Sequence, residues 1–376
     1  MSKPQDVVKS EVVKDDFMVI VRKRIAAFGL PRIIILVAFI LMFVLAGIVG
    51  MNLPSFFGDV LRRWGMWGIL VLAMVPSIQS GNAPNFGVSV GIVAGLLGAV
   101  ISIDLNYRGA FDFITNPALH RIAGALVAIA IGVIGGTVLG MLYGMLLNRV
   151  KGSEMAISVY VGFSAVAVFN ILWVRIPISN PIAILPGTGS GLRQMINLQD
   201  DFGDAFDSLF RFQIGSMTIH TGLLLLFFLM CFFMYIFMKS KRGMRMSAAG
   251  DNPTYARASG INVDRMRILG TTISTALGAF GIVIYAQSFG FLQMYRGPLM
   301  MGFTAVASVL IGGATIRRAK VFDVLFGAFL FNGILTIALP LSTQLIPDIP
   351  GVPEMLRLII SNGIILYALT RAKGGR

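Results

Sequence analysis

Cysteine is almost missing from this chain: Cys231, inside an apolar run, is the one thiol in 376 residues. A single cysteine builds neither an intrachain disulfide nor a thiolate metal site, so redox usage does not identify a compartment. Histidine is nearly as scarce. His120 and His220 have no cysteine or carboxylate cluster around them, which leaves an intramembrane enzyme without a nucleophile or metal set. Charged residues make up only 13% of the chain, far too few to cover a soluble protein of this size. No glycine-rich loop ends in Gly-Lys-Ser or Gly-Lys-Thr, so the phosphate cradle of a nucleotide-hydrolysing protein is missing too. The first 32 residues carry Asp6, Glu11, Asp15, Asp16 and a basic cluster at Arg22, Lys23 and Arg24. No apolar core of a signal peptide begins there.

What the chain has in abundance is apolar sequence, at 56% of residues and a mean hydropathy of +0.82. This composition belongs to an all-α polytopic transmembrane bundle. Runs long enough to cross a hydrocarbon core of about 30 Å are expected at 33–51, 61–80, 86–103, 121–147, 155–173, 218–238, 267–291, 300–316, 321–341 and 355–371, ten in all. The expected organisation is a cytoplasmic tail over 1–32 and a membrane domain over 33–376. In the tail, Phe17, Ile20, Val21, Ile25 and Phe28 either form one face of a surface helix before Pro31 or belong to a disordered segment.

Alternating these runs from a cytoplasmic N-terminus places 1–32, 149–154, 239–267, 317–320 and 371–376 inside. Those stretches hold 22 of the 31 basic residues, and the whole net charge of +14 falls on that side. The bias is the one the positive-inside rule expects, with both termini in the cytoplasm. It also explains the pI near 10.3 without nucleic acid, because the charge is divided among short loops rather than gathered on one folded face. The longest outer loop, 174–217, combines Asp200, Asp201, Asp204 and Asp207 with Phe202, Phe206, Phe210 and Phe212. That pattern predicts an amphipathic surface helix, either a docking place for a partner or a solvated element.

Within 121–147 a small residue recurs at every fourth position: Gly124, Ala128, Gly132, Gly136, Gly140 and Gly144. Such a ridge lets helix backbones approach closely in lipid, for tight packing or for a helix that rocks against its neighbour. The stretch Gln79-Ser80-Gly81-Asn82-Ala83-Pro84-Asn85-Phe86-Gly87 breaks an apolar run with amides, a proline and glycines but no charge. Broken backbone at membrane depth needs protein or a water-filled cavity over it, so Gln79, Asn82, Asn85 and Phe86 are pathway candidates for a polyhydroxy solute. The alternative is a plain cytoplasmic hairpin. Asn170, Gln287, Gln293 and Asn332 are the other polar residues at depth; each can serve as interhelical glue, and Gln287 and Asn332 join the pathway candidates.

Between two membrane-length runs lies Ser247 to Ile261, read as a short capped helix over 248–261. Asn252 suits the N-cap, Pro253 the first helical position and Gly260 a left-handed end. The segment resembles the cytoplasmic coupling loop of the ribose-type inner-membrane permeases of ABC importers, in the branched-chain amino acid/ribose superfamily, at Gly250, Asn252, Ala256, Gly260 and Ile261. Ser80-Gly81 and Ser89-Val90-Gly91 resemble that family's early segment, although its aspartate is absent here. Ile311-Gly312-Gly313-Ala314 with Gly327-Ala328 resembles its late Gly-Gly segment. The resemblance implies a multi-pass transport subunit of the bacterial inner membrane that is not an enzyme and binds no cofactor itself. ATP and Mg would sit on a separate ATPase, which presses on Gly250, Asp251, Asn252, Ala256, Arg257, Gly260 and Ile261. It also implies a periplasmic or lipid-anchored solute-binding protein and a second permease chain, identical or related, among membrane lipids. A monosaccharide is the expected solute; a nucleoside, a furanose signal or a vitamin stays open. An ion-coupled secondary transporter is the competing class, and the scarcity of acidic residues or histidine inside the runs speaks against it.

Overall fold

A computed structural model describes residues 30–186, 191–347, 349 and 351–373. The amphipathic face expected at Phe17 to Phe28 lies outside them. The described chain is a helical bundle: α1 (Leu30–Ile48), α2 (Leu53–Leu72), α3 (Met74–Gln79), α4 (Ser89–Tyr107), α5 (Pro117–Arg149), α6 (Glu154–Arg175), α7 (Thr221–Lys239), α8 (Lys241–Asp251), α9 (Pro253–Ala258), α10 (Val263–Phe289), α11 (Gly297–Ile311), α12 (Val321–Leu345) and α13 (Val352–Lys373). Four short strands sit at one end. β1 (Met195–Asn197) pairs antiparallel with β4 (Phe291–Gln293), and β2 (Arg211–Ile214) forms a hairpin with β3 (Met217–His220).

Local chemistry sets several helix starts. The Asn52 carboxamide accepts from the Ser55 N–H at 3.3 Å, Asn116 from Ala118 at 2.9 Å, and Asn262 from Arg265 at 3.0 Å. The long α10 stops at Gly290, whose φ of +86° is the left-handed conformation that glycine adopts without a Cβ penalty.

Seven of the described helices are long and apolar enough to cross a membrane, rather than the ten read from hydropathy. The apolar parts of α1 and α11 are too short for that standard, and α2 carries Asp59, Arg62 and Arg63 before or near its middle. Of these, α1 and α2 nevertheless run the length of the bundle. Arg32 at the start of α1 binds Asp323 at 3.0 Å, while Gly47 near its end meets Leu53; α2 begins beside Ser216 and leads through α3 to Gly250.

At the centre lie α4, α10 and α12, with α5, α6, α7 and α13 outside them. The small-residue ridge of α5 faces this centre. A Cβ on Gly132 would come within 2.9 Å of the Gly95 Cα in α4, and one on Gly140 within 2.8 Å of the Thr275 Cβ in α10. Gly136 and Gly144 face Ala279 and Ile268 in the same way, Ala128 lies under Gly98, and Gly124 reaches Phe202. Close backbone approach supplies the packing that hydrophobic force cannot supply within lipid.

The outer loop corrects the amphipathic-helix expectation. Residues 198–210 form turns that fold inward, burying Phe202, Phe206, Asp201 and Asp207, while Phe210 and Phe212 stay exposed. Asp207 turns in because Arg62, Gln287 and Ser288 bind its carboxylate. A surface helix would leave those partners unsatisfied.

Candidate functional site

Three basic loops meet at one end of the bundle. Lys151 pairs with Asp264 at 2.7 Å, Arg318 with Asp251 at 2.9 Å, and Arg267 with Glu154. The connection that precedes α10 consists of two helices rather than one over 248–261. Ser240 caps α8, and residues 248–251 belong to its last turn. The Asn252 carboxamide then accepts from the Tyr255 N–H at 3.0 Å with Pro253 at the first position, starting α9. Gly260, at φ +76°, ends that unit while the Ile261 N–H returns to the Ala256 carbonyl at 2.9 Å.

One face of this pair is buried through Ala249, Ala256 and Val263, with Ile261 packed against them. The other face is presented outward: Tyr255 is 70% exposed, and Asn252, Pro253, Thr254 and Arg257 are exposed beside it. Such a surface is anchored on one side and free on the other, the geometry an external element needs in order to push.

The anchor leads to the broken segment. A Cβ on Gly250 would lie 2.3 Å from the Gln79 carbonyl oxygen and 2.9 Å from the Gly81 nitrogen, so α8 and the break are in backbone contact. Gly81, at φ +81°, and Ala83, at φ +59°, turn the chain between α3 and the short 3-10 turn at Phe86–Val88. Polar side chains then stitch the break to its surroundings. Asn82 donates to the Arg267 carbonyl and to the Thr271 hydroxyl, both at 2.8 Å, and its own buried oxygen has no partner among the described residues. Asn85 donates to the Ser274 hydroxyl at 2.8 Å and accepts from the Tyr143 hydroxyl at 3.2 Å. Gln79 donates to the Ala319 carbonyl at 2.5 Å.

Asn82 and Asn85 are each 2% exposed, and Phe86 is buried with its ring 5.3 Å from that of Phe303. Gln79 alone of this group faces open space. It lines a cavity of about 670 Å³ with Phe228, Phe232, Tyr235, Lys320 and Phe322, a mostly apolar chamber at the basic end.

The remaining pathway candidates lie elsewhere. Gln287 is buried at the opposite end, donating to Asp207 at 2.9 Å and to Ser288 at 2.7 Å and accepting from the Phe206 N–H at 3.1 Å. Asn332 donates to the Ala328 carbonyl of its own helix at 3.0 Å. Sequence reasoning missed Arg62, which binds Asp207 at 2.7 Å, Asp204 at 2.9 Å and the Ser288 carbonyl at 2.7 Å. The available signal was two adjacent arginines opening an apolar run, because charge there needs a partner. Nearby, burial pushes the His220 imidazole below its usual pKa, and the Asp201 carboxyl above its own.

Comparison with known proteins adds an independent line. The family described as "Branched-chain amino acid transport system / permease component" matches residues 56–369. The nucleoside ABC transporter permease protein NupC of Lactococcus lactis is 33% identical over 25% of this chain and 30% of its own length. The fructose import permease protein FrcC of Rhizobium meliloti is 28% identical over 35% of this chain and 36% of its own. The autoinducer 2 import system permease protein LsrC of an Enterobacter strain is 25% identical over 71% and 66%. The first two matches span about a third of each relative's length. No solved structure matches.

Proposed function

We propose, for a chain that belongs to the branched-chain amino acid transport system permease family, that it carries a monosaccharide or similar polyhydroxy solute inward for an ATP-driven importer. A permease component is a transport subunit and not an enzyme. In this reading the basic end of the bundle is cytoplasmic, both termini lie there, and the membrane is the bacterial inner membrane. A separate ATPase with bound ATP and Mg docks on the exposed face of α8 and α9. A solute-binding protein delivers the solute at the opposite end, and a second permease chain completes the channel.

The observation that carries this reading is the backbone contact between Gly250 and Gln79–Gly81. Pressure on Tyr255 or Arg257 reaches the break through α8 with no flexible linker between. The break is hydrogen-bonded in turn to the first half of α10 through Asn82 and Asn85. A rigid push therefore moves two central elements together, as switching between two access states requires. The pathway roles of Gln79, Asn82, Asn85, Phe86, Gln287 and Asn332 are part of the same proposal. Buried Asn82 and Asn85 act by holding the closed seam and Gln79 by facing the inner chamber.

Reconstitution tests the reading. The permease, its ATPase and its binding protein in proteoliposomes should accumulate a radiolabelled sugar only with ATP inside the compartment that exposes α9. Accumulation driven by a proton or sodium gradient without ATP would establish the secondary-transporter class instead.

A further inference from the structure

We propose that the cavity between the outward ends of α2, α10 and α12 is a binding site for the polyhydroxy solute in transit, with Asp59 and Arg63 as its hydrogen-bonding pair. This rests on the functional reading above and adds the place and chemistry of solute contact. The cavity has a volume of about 280 Å³. It lies at the end of the bundle opposite the coupling helices, where α2 begins and where α10 reaches β4.

Its floor is already rigid. Arg62 is held by Asp207, Asp204 and the Ser288 carbonyl, so its guanidinium is committed to the scaffold. Asp59 and Arg63, one helical turn apart on α2, are exposed in the same cavity. Among the described residues neither forms an ion pair with the other or with any third group. A free carboxylate and a free guanidinium beside one opening supply an acceptor and a fan of donors, and a hydroxyl is both donor and acceptor.

A further acceptor comes from the opposite wall. Pro340 lies inside α12 and has no N–H, so it gives nothing to the carbonyl of Thr336 four residues earlier. Both residues line the cavity, while the Thr336 hydroxyl is spent on the Asn332 carbonyl at 2.6 Å. Phe56 and Phe289 add aromatic faces on two sides. Polar groups spread over several walls with apolar faces between them match a ring bearing hydroxyls around its edge. An α-amino acid carries both of its charges on one carbon and would engage only the Asp59 and Arg63 side.

The reconstituted complex offers the test, with radiolabelled D-fructose, D-ribose, guanosine and L-tyrosine as probes. In the expected result the wild type takes up one of the sugars. Asp59→Asn and Arg63→Gln each lower that uptake roughly tenfold or more, the loss of a charged hydrogen bond. Arg63→Lys keeps part of it. Both residues are exposed, so these variants should fold. As a second measurement, Asp59→Cys in a Cys231→Ala background should react with an impermeant maleimide, and the transported sugar should slow that reaction. Sugar uptake that is the same in all three variants, with no protection of the introduced thiol, overturns the site but leaves the sugar-importer reading intact. Uptake of tyrosine or guanosine and of neither sugar overturns the functional reading and the proposed solute class with it.

Discussion

Gly260 carries the clearest single-residue consequence. Its φ is +76°, and a Cβ placed there meets no atom within 4 Å, so a substitution acts through backbone conformation alone. A β-branched residue in that conformation costs about 1–2 kcal/mol. Gly260→Val should insert and fold, because α9 is a surface element. Its complex should lose solute transport, and its ATP hydrolysis should stop responding to the loaded binding protein. Normal stimulation in purified Gly260→Val complexes would reduce this unit to a connector. Asn85 is different in kind, since it is buried and bonded to both Ser274 and Tyr143. Asn85→Leu leaves those two hydroxyls short of a partner, at about 1–3 kcal/mol for each buried group left unsatisfied. It should therefore lower the melting temperature of the purified permease as well as uptake. A variant with unaltered melting and impaired uptake would give Asn85 a direct contact with solute.

At the scale of elements, the proposed coupling reduces to whether α8 and the break move as one body. Their surfaces touch through glycine backbone, and a methyl group at Gly250 has the Gln79 carbonyl 2.3 Å away. Gly250→Ala should accordingly push α8 off the break and weaken coupling several-fold in binding-protein-stimulated ATPase assays, while the bundle itself persists. Gly363→Ala is the matched control, for a Cβ there meets nothing within 4 Å. Equal stimulation in the two variants would sever the proposed mechanical link. The glycine ridge of α5 also explains why α10 can sit so near the centre. Threonines and alanines of α10 fill the grooves that Gly136, Gly140 and Gly144 leave open.

The whole molecule has two chemically distinct ends. At one, Lys151, Arg318 and Arg267 are tied to carboxylates of neighbouring loops; at the other, Arg62 is locked to the inward-folded outer loop. The proposed orientation, which rests on charge bias, puts the first end in the cytoplasm. Single cysteines at Ser208 and Ser247 in a Cys231→Ala background should then be labelled by an impermeant thiol reagent from opposite sides of the membrane. Labelling of both from one side would overturn the orientation.

The sequence by itself determined the class of this protein and the caps of the connection that precedes α10. Membrane helices form from local apolar runs, and a cap at Asn252 or a left-handed stop at Gly260 depends on residues within one turn. Both kinds of signal are short-range and survive in a linear reading. The interruption at Gln79–Gly87 was legible for the same reason, since proline, glycines and amides disfavour continuous helix wherever they fall. What lay beyond reach were the partners: that Gly250 rests on Gln79, that Asn82 and Asn85 are spent on α10, and that Asp207 turns inward to Arg62. The outer loop shows the cause most plainly. Its alternation of aspartate and phenylalanine reads as an amphipathic helix, yet an arginine about 145 positions earlier in the chain draws the carboxylate into the interior. Buried polar groups take whichever partner the fold brings near, and only the tertiary structure decides which one that is.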